Sequence, residues 1–168
     1  MRYIPQKETT IPWLVLNGAP KSGSTWLVQM IRETGTWTRI PERFQQQAWE
    51  NSSVEVSNVE NLAKYSIEQG ARCYTKQHFE TGEIIDRIGS GLNAKPVVAN
   101  ILRDPRDMIV SRFYHEKRLG QTNLLLSEWL ASKSEHLINY SLFYHANWAD
   151  WGARNEDHYV FTIYEALR

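Results

Sequence analysis

The sequence predicts an α/β fold with three layers, in which a parallel sheet is covered by helices on both faces. Short apolar runs of strand length alternate with segments of helical period, which is typical of this class. Two of the runs, 13–16 and 96–102, are brief and contain valine, as buried strands do. At 168 residues the chain has the length of one domain, and no linker divides 1–168.

In the first half of the chain, glycines mark the predicted ends of the helices, because glycine readily adopts the left-handed conformation found there. Gly35 and Gly70 have this position, and Asn17-Gly18 is the turn signal that closes the first strand. Residues 36–57 carry no clear period and are interpreted as a loop-rich insertion. The predicted elements are a strand over 13–16, a helix over 24–33, a short proline-initiated helix over 41–50, a helix over 59–69 and a strand over 72–76.

In the second half, the clearest helix start is Pro105, because proline fits the first helical position. Asp107 falls in the first turn, where the helix dipole favours a negative charge, and Gly120 is the expected stop. The predicted elements are a short helix over 83–88, a buried strand over 96–102, a helix over 105–118, helices over 124–131 and 137–153, and a strand over 159–163.

The charges of the chain balance, with 19 Lys plus Arg against 19 Asp plus Glu, so the whole molecule has no field to attract nucleic acid. Cys73 is the only cysteine, which excludes an intramolecular disulfide and fits a reducing cytoplasm. The first apolar run is too short for a membrane span, so we expect a soluble, cytoplasmic chain. We also expect no metal, since no ligand spacing connects His115, His136, His145 and His158.

A glycine-containing loop, 18–26, connects the first predicted strand to the first predicted helix. In a parallel α/β unit this position faces the helix N-terminus, which attracts anions. Lys21 adds a cation, and Ser24 and Thr25 add hydroxyl donors, so the loop has the composition of a phosphate cradle. It departs from the nucleotide triphosphate P-loop, because Lys21 precedes Gly23 rather than following it. Taken alone, the loop is also compatible with an ordinary glycine-rich turn carrying a solvated lysine.

The segment Pro-Lys-Ser-Gly-Ser-Thr-Trp at 20–26 closely resembles the loop that holds the 5′-phosphate in sulfotransferases using 3′-phosphoadenosine 5′-phosphosulfate (PAPS). A second family signature, Arg-Asp-Pro-Arg-Asp-Met-Ile-Val-Ser, occupies 103–111 in the expected order. The resemblance implies the P-loop NTPase-like sulfotransferase fold, PAPS as cofactor with PAP as its product, and no metal. The nucleotide contacts it implies are Lys21, Ser22, Gly23, Ser24, Thr25, Trp26, Arg103, Ser111 and Tyr164.

Within this set the resemblance assigns separate roles. Arg103 and Ser111 are expected to bind the 3′-phosphate, and Trp26 to stack on adenine. The ending at 160–167 resembles a family strand whose tyrosine lies against the nucleotide, a role that falls on Tyr164, although Ala166 replaces the family's acid. Independently, Arg103 ends a predicted strand, where its guanidinium can meet a phosphate at the sheet edge.

The segment Lys76-Gln77-His78 lies at the end of the second predicted strand and resembles the Lys-x-His of cytosolic sulfotransferases. The resemblance makes His78 the base and Lys76 the group that assists transfer, with Lys21 on the leaving-group side. Residues two apart in a strand share a face, so both side chains can address one cleft. The family commonly continues with Leu-Pro, whereas Phe79-Glu80 follows here, and a carboxylate base keeps Glu80 and Glu83 as alternatives. Taken without Lys76, a histidine at this position is more often an ordinary surface or hydrogen-bonded residue than a base.

The resemblance runs from residue 13 to 168, where the family normally continues with further adenine contacts and a basic Arg-Lys-Gly loop. The expected function is sulfuryl transfer from PAPS to a hydroxyl or amine of a small molecule. A catalytically impaired PAPS-binding or PAP-binding module and a small P-loop kinase are the alternatives. No nucleic-acid or membrane partner is expected, and homo-oligomer formation stays open. The insertion, with Trp37, Phe44 and Trp49, is interpreted as acceptor wall or equally as core packing.

Overall fold

A computed structural model describes residues 9–45 and 58–167 of the chain. Within them, five parallel strands form one sheet in the order β2-β3-β1-β4-β5, which confirms the predicted fold class. The strands are β1 Thr9–Gly18, β2 Thr38–Arg39, β3 Cys73–Gln77, β4 Ala94–Leu102 and β5 Tyr159–Ile163. The helices are α1 Ser24–Glu33, α2 Val59–Gln69, α3 Glu83–Leu92, α4 Pro105–Arg118 and α5 Leu126–Arg154.

The α1, α2, α4 and β5 predictions match the observed bounds, and the differences lie elsewhere. The two predicted helices over 124–131 and 137–153 are one continuous helix, α5. The polar residues between them contain no glycine or proline, so nothing interrupts the backbone hydrogen bonds, and those side chains are mostly exposed on the helix. The predicted helix over 41–50 is a 3-10 turn over Glu42–Phe44 as far as the structure describes it; 46–57 lies outside the described residues.

The core lies on both faces of the sheet because inward side chains alternate along its strands. On one face, Trp13 and Val15 of β1 and Val98 of β4 pack in a cluster that includes Tyr144 and Trp148 of α5. The helices α2 and α3 contribute buried apolar residues to this cluster. On the opposite face, a smaller cluster surrounds α1 and consists of Leu14, Leu16, Leu27, Tyr74 and Ile101.

The aromatic residues of the insertion fall into two groups. Phe44 is buried in the core cluster beside α2, and Arg43 lies over its ring at 4.8 Å. Trp37 is partly buried against the α1 cluster. Both therefore contribute to packing, whereas Trp49 lies outside the described residues.

A buried carboxylate, Glu116, connects α4 to α5. It accepts hydrogen bonds from Arg112 Nε at 2.7 Å, Trp129 Nε1 at 2.9 Å and Lys133 Nζ at 3.1 Å. Burial by itself raises the pKa of Glu116, but these hydrogen bonds outweigh it and lower the pKa to about 2. The ionised form is thus favoured in the folded protein. Its stabilising contribution is complete above roughly pH 5 and is lost as the pH falls toward 2.

We expect Glu116→Gln to lower the free energy of unfolding by about 2 kcal/mol at neutral pH, because Arg112 and Lys133 lose the negative charge and one of the two acceptor oxygens is replaced by an NH2 donor. The difference from wild type should shrink between roughly pH 5 and pH 2 as the native carboxylate is protonated. Urea unfolding at several pH values measures both effects. Asp150→Asn is the control, because its ion pair with Arg154 is exposed and should contribute less than about 1 kcal/mol. Equal losses for the two variants would contradict this account.

Candidate active site

The carboxyl ends of the parallel strands meet at one edge of the sheet, and the predicted site residues follow them. Gly18 ends β1, His78 follows β3, Arg103 follows β4 and Tyr164 follows β5. The register brings the ends of β1, β3 and β4 side by side, since Asn17 pairs with Gln77 on one side and Gly18 with Ile101 on the other. Residues that are far apart in sequence therefore meet at one edge of the sheet.

The loop after β1 is turned by two left-handed residues, Lys21 with φ 73° and Gly23 with φ 104°. The Ser22 amide donates to the Ala19 carbonyl at 3.0 Å, which closes a tight turn. Gly23 precedes α1 and has no side chain to bind the first amides of that helix. Consecutive amides and the positive end of the α1 dipole are therefore directed at this loop, as in an anion-binding nest.

Two glycines allow the loop to approach its neighbours closely. A Cβ at Gly18 would lie 2.4 Å from Ser22 Oγ and 2.7 Å from Ile101 Cγ2. A Cβ at Gly23 would lie 2.5 Å from the ring of Tyr164. These distances are far below van der Waals contact, so both positions require glycine as the loop stands.

Two buried hydrogen-bond donors at the loop lack a partner within the part of the chain that the structure describes. They are Ser22 Oγ and Arg103 Nε. A buried donor without an acceptor costs about 1–3 kcal/mol, so each of these two atoms calls for a partner. The oxygens of an anion are the kind of acceptor that these donors lack.

Arg103 connects the loop to the end of β5. Its Nη1 donates to the Lys21 carbonyl at 3.0 Å, and its guanidinium lies 4.5 Å from the centroid of the Tyr164 ring. Tyr164 in turn makes an edge contact with Trp26, with 6.4 Å between ring centroids. Asp107 lies at the limit of an ion pair with Arg103, at 4.0 Å. Lys21, Arg103, Tyr164 and Trp26 thus form one connected group.

The helix α4 extends this group on the other side of the loop. Asp104 caps it by accepting from the Arg106 amide at 2.8 Å, and Ser111 lies partly buried in its second turn. Burial, followed by the positive charges of Lys21, Arg118 and Arg112, lowers the pKa of His115 one turn further along. The charge of Lys21 therefore acts on this part of α4, and the loop and α4 share a positive environment.

Lys76 and His78 reach the same edge from β3. Lys76 is buried, and its Nζ donates to Thr25 Oγ1 at 2.9 Å, which connects β3 to the first turn of α1. His78 is exposed, and its Nδ1 lies 2.5 Å from the Gly18 carbonyl oxygen. Because a carbonyl only accepts, the neutral ring carries its proton on Nδ1, which leaves the lone pair of Nε2 as the basic position.

The carboxylates that are alternative bases, Glu80 and Glu83, follow His78 between the end of β3 and the start of α3. Glu83 is exposed and begins α3. Glu80 is also exposed. The pKa of Tyr140 on α5 is raised mainly by burial and, to a smaller extent, by the negative charge of Glu80. Glu80 therefore acts on the α5 side of the loop, whereas His78 contacts β1.

Sequence reasoning missed a buried polar layer beneath His78. Asn17, interpreted from sequence only as part of a turn, is fully buried, as is Asn100 on the neighbouring strand. Tyr144 of α5 lies between them and bonds to both. The available signal was an asparagine at the end of each of two apolar strands, since buried amides require dedicated partners.

The described ranges, 9–45 and 58–167, hold neither a candidate metal site nor a candidate membrane span. Those residues contain no group of three or more His, Cys, Asp or Glu side chains able to hold a metal ion. None of the helices described there is both long and apolar enough to cross a membrane.

Comparison with known proteins identifies the family from the sequence and finds a similar fold among solved structures. Residues 12–168 match the family model described as "Sulfotransferase domain". The fold is similar to that of the mouse sulfotransferase SULT7A1, solved in complex with PAP, with a TM-score of 0.55 and 17% sequence identity. The similarity covers 96% of this chain and 53% of the mouse chain, so the chain spans about half the length of that relative. No curated protein sequence matches. The family match covers nearly the whole chain, and the protein belongs to the sulfotransferase family.

Proposed function

We propose that the protein transfers a sulfuryl group from PAPS to a hydroxyl or amine of a small-molecule acceptor. The observation that carries this proposal is the pair of buried, unsatisfied donors, Ser22 Oγ and Arg103 Nε, at a left-handed loop that follows β1. In a chain of the sulfotransferase family, an anionic nucleotide is the ligand best matched to these donors. The PAP bound to the structurally similar mouse protein supports the same nucleotide class here.

The residues at the sheet edge fit such a nucleotide in two parts. The loop at 21–26, with its amides and hydroxyls, would hold the 5′ end. Arg103 and Ser111 would hold the 3′-phosphate, because the guanidinium offers several donors and Ser111 extends from the adjacent helix. Trp26 and Tyr164, whose rings are already in contact, would provide an apolar wall for adenine.

The chemistry of the acceptor would depend on His78. When bound, PAPS supplies an activated sulfuryl group on a nucleotide that leaves as PAP. The Nε2 of His78 accepts the proton of the acceptor hydroxyl, while its Nδ1 proton stays hydrogen-bonded to Gly18 O. Lys76 and Lys21 supply positive charge on the nucleotide side, where negative charge develops on the leaving oxygen. The hydrogen bond from Lys76 to Thr25 directs the Lys76 ammonium toward the loop at 21–26.

Binding of PAP in the presence of a chelator is the first test. We expect calorimetry to detect PAP binding at micromolar concentration without Mg²⁺, because protein donors alone form the proposed phosphate sites. ATP with Mg²⁺ is the control for the kinase alternative and should bind much more weakly. Absence of PAP and PAPS binding up to about 1 mM would contradict the proposal.

Sulfuryl transfer is the second test, and it separates an enzyme from a binding module. Labelled PAPS is incubated with a panel of phenols, alcohols and amines, and the labelled product is measured. Transfer to at least one acceptor class is expected. Tight PAP binding with no transfer to any member of the panel would instead support the catalytically impaired module.

A further inference from the structure

We propose that Asn17 and Tyr144 are positioning residues that hold the imidazole of His78 in its Nδ1–H orientation by fixing the backbone of Phe79. The catalytic consequence of this inference rests on the proposed function, but the positioning itself does not. The residues involved lie on β1, on the connection after β3 and on α5.

Asn17 holds Phe79, the residue after His78, by both of its backbone groups. Its Oδ1 accepts from the Phe79 amide at 2.9 Å, and its Nδ2 donates to the Phe79 carbonyl at 3.2 Å. The side chain of Asn17 thereby continues the contact between β1 and the chain after β3 two residues beyond Gln77, where the backbone pairing ends. The connection from β3 to α3 is therefore anchored where the regular sheet no longer anchors it.

Tyr144 fixes which way the Asn17 amide points. Its hydroxyl accepts from Asn17 Nδ2 at 2.6 Å and donates to Asn100 Oδ1 at 2.9 Å. Asn100 in turn donates from Nδ2 to the Tyr159 hydroxyl at 3.1 Å. Burial raises the pKa of Tyr144 well above its usual value and also raises that of Tyr159, so both hydroxyls keep their protons. A flipped Asn17 amide would break these donor-acceptor pairs, so the amide has one orientation.

The consequence for His78 follows from its position between two anchored neighbours. Gln77 before it is paired with Asn17 in the sheet, and Phe79 after it is held by the Asn17 side chain. The acceptor of its Nδ1 proton, the Gly18 carbonyl, belongs to the residue next to Asn17. The His78 side chain is exposed, so packing alone does not orient its ring. Asn17 therefore holds the backbone on both sides of His78 close to Gly18.

The helix α5 supplies this support from one face. Trp148, one turn after Tyr144, donates from Nε1 to the Phe79 carbonyl at 2.8 Å. Trp151, seven residues after Tyr144, packs so closely that a Cβ at Gly82 would lie 2.1 Å from its ring. The connection that carries His78 is thus held against α5 at Phe79 and at Gly82.

The experiment compares Tyr144→Phe and Asn17→Ala with Thr75→Val. The control removes a hydroxyl of the same sheet, because Thr75 is buried and accepts from Trp13 Nε1 at 3.0 Å, a bond that involves neither Asn17 nor Tyr144. Long-range ¹H–¹⁵N NMR reports the tautomer of His78 at a pH where the ring is neutral. Single-turnover transfer, KM for PAPS and the dissociation constant for PAP are measured on the same proteins.

We expect His78 to be predominantly the Nδ1–H tautomer in wild type and in Thr75→Val, and a mixture in the two test variants. In these variants the transfer rate should fall by roughly tenfold or more, because a small displacement of a catalytic group is costly. The PAP dissociation constant should stay within about twofold of wild type, since the residues proposed to bind the phosphates lie in the loop at 21–26, at Arg103 and on α4. Tyr144→Phe removes a single oxygen, so it carries the test if Asn17→Ala does not fold.

An unchanged His78 tautomer in Tyr144→Phe would overturn the inference, whatever happens to activity. A rate loss no greater than that of Thr75→Val would overturn its catalytic part. If wild type transfers no sulfuryl group, the proposed function fails, and the tautomer measurement still decides the positioning.

Discussion

His78→Ala is expected to lower the single-turnover rate of sulfuryl transfer by about 10²–10⁴-fold, the usual contribution of a general base. The imidazole would accept the acceptor proton through Nε2, and alanine cannot replace it. The affinity for PAP should change by less than about twofold, because the proposed phosphate contacts come from the loop after β1 and from α4. Single-turnover kinetics with labelled PAPS and calorimetry with PAP measure the two quantities separately.

Two further variants decide how such a loss is interpreted. His136→Ala is the matched control, since this histidine is exposed on α5 and should leave the rate unchanged. Glu80→Gln tests the carboxylate alternative, since Glu80 lies two residues beyond His78. A His78→Ala protein with the wild-type rate, combined with a large loss in Glu80→Gln, would assign the base to Glu80 and contradict the mechanism proposed for His78.

The elements that could be predicted from the sequence are those with strong local signals at their ends. The helix α2 ends before Gly70, which has φ 60°, and α4 begins at Pro105 behind the cap of Asp104. In both cases the signal depends on residues within one turn of the boundary. The strand order and the exposed two-residue strand β2 had no such signal, because β2 exists only through its pairing with β3.

The candidate site divides in the same way. The motifs identified Lys21, Lys76, His78 and Arg103, and parallel topology explains why these residues meet at one edge. Their actual partners were not predictable, because each contact joins segments that are far apart in sequence. The bond from Lys76 to Thr25 spans 51 residues, and that from His78 to Gly18 spans 60. The layer around Asn17 was missed because its partner Tyr144 is 127 residues away on α5.

Gly23→Ala is expected to weaken PAP binding by about 100-fold, or roughly 2.7 kcal/mol. Gly23 has φ 104°, which alanine adopts only at a cost of about 1–3 kcal/mol. The added Cβ would also lie 2.5 Å from the Tyr164 ring, so that ring must move. The guanidinium of Arg103 lies over the same ring, 4.5 Å from its centroid. Displacing the Tyr164 ring would therefore disturb the guanidinium that is proposed to hold the 3′-phosphate. One methyl group would thus disturb both proposed phosphate sites, and calorimetry with PAP measures the loss.

Gly35→Ala separates this effect from the general cost of replacing a left-handed glycine. Gly35 has φ 65° just after α1, and a Cβ there would meet nothing within 4 Å. Both variants should lose stability in urea unfolding, by about 1 kcal/mol for Gly35→Ala, but only Gly23→Ala should lose affinity for PAP. Wild-type affinity in a folded Gly23→Ala protein would show that the loop after β1 does not hold the nucleotide. An equal loss in Gly35→Ala would assign the effect to the stability of α1 rather than to contact between Gly23 and Tyr164.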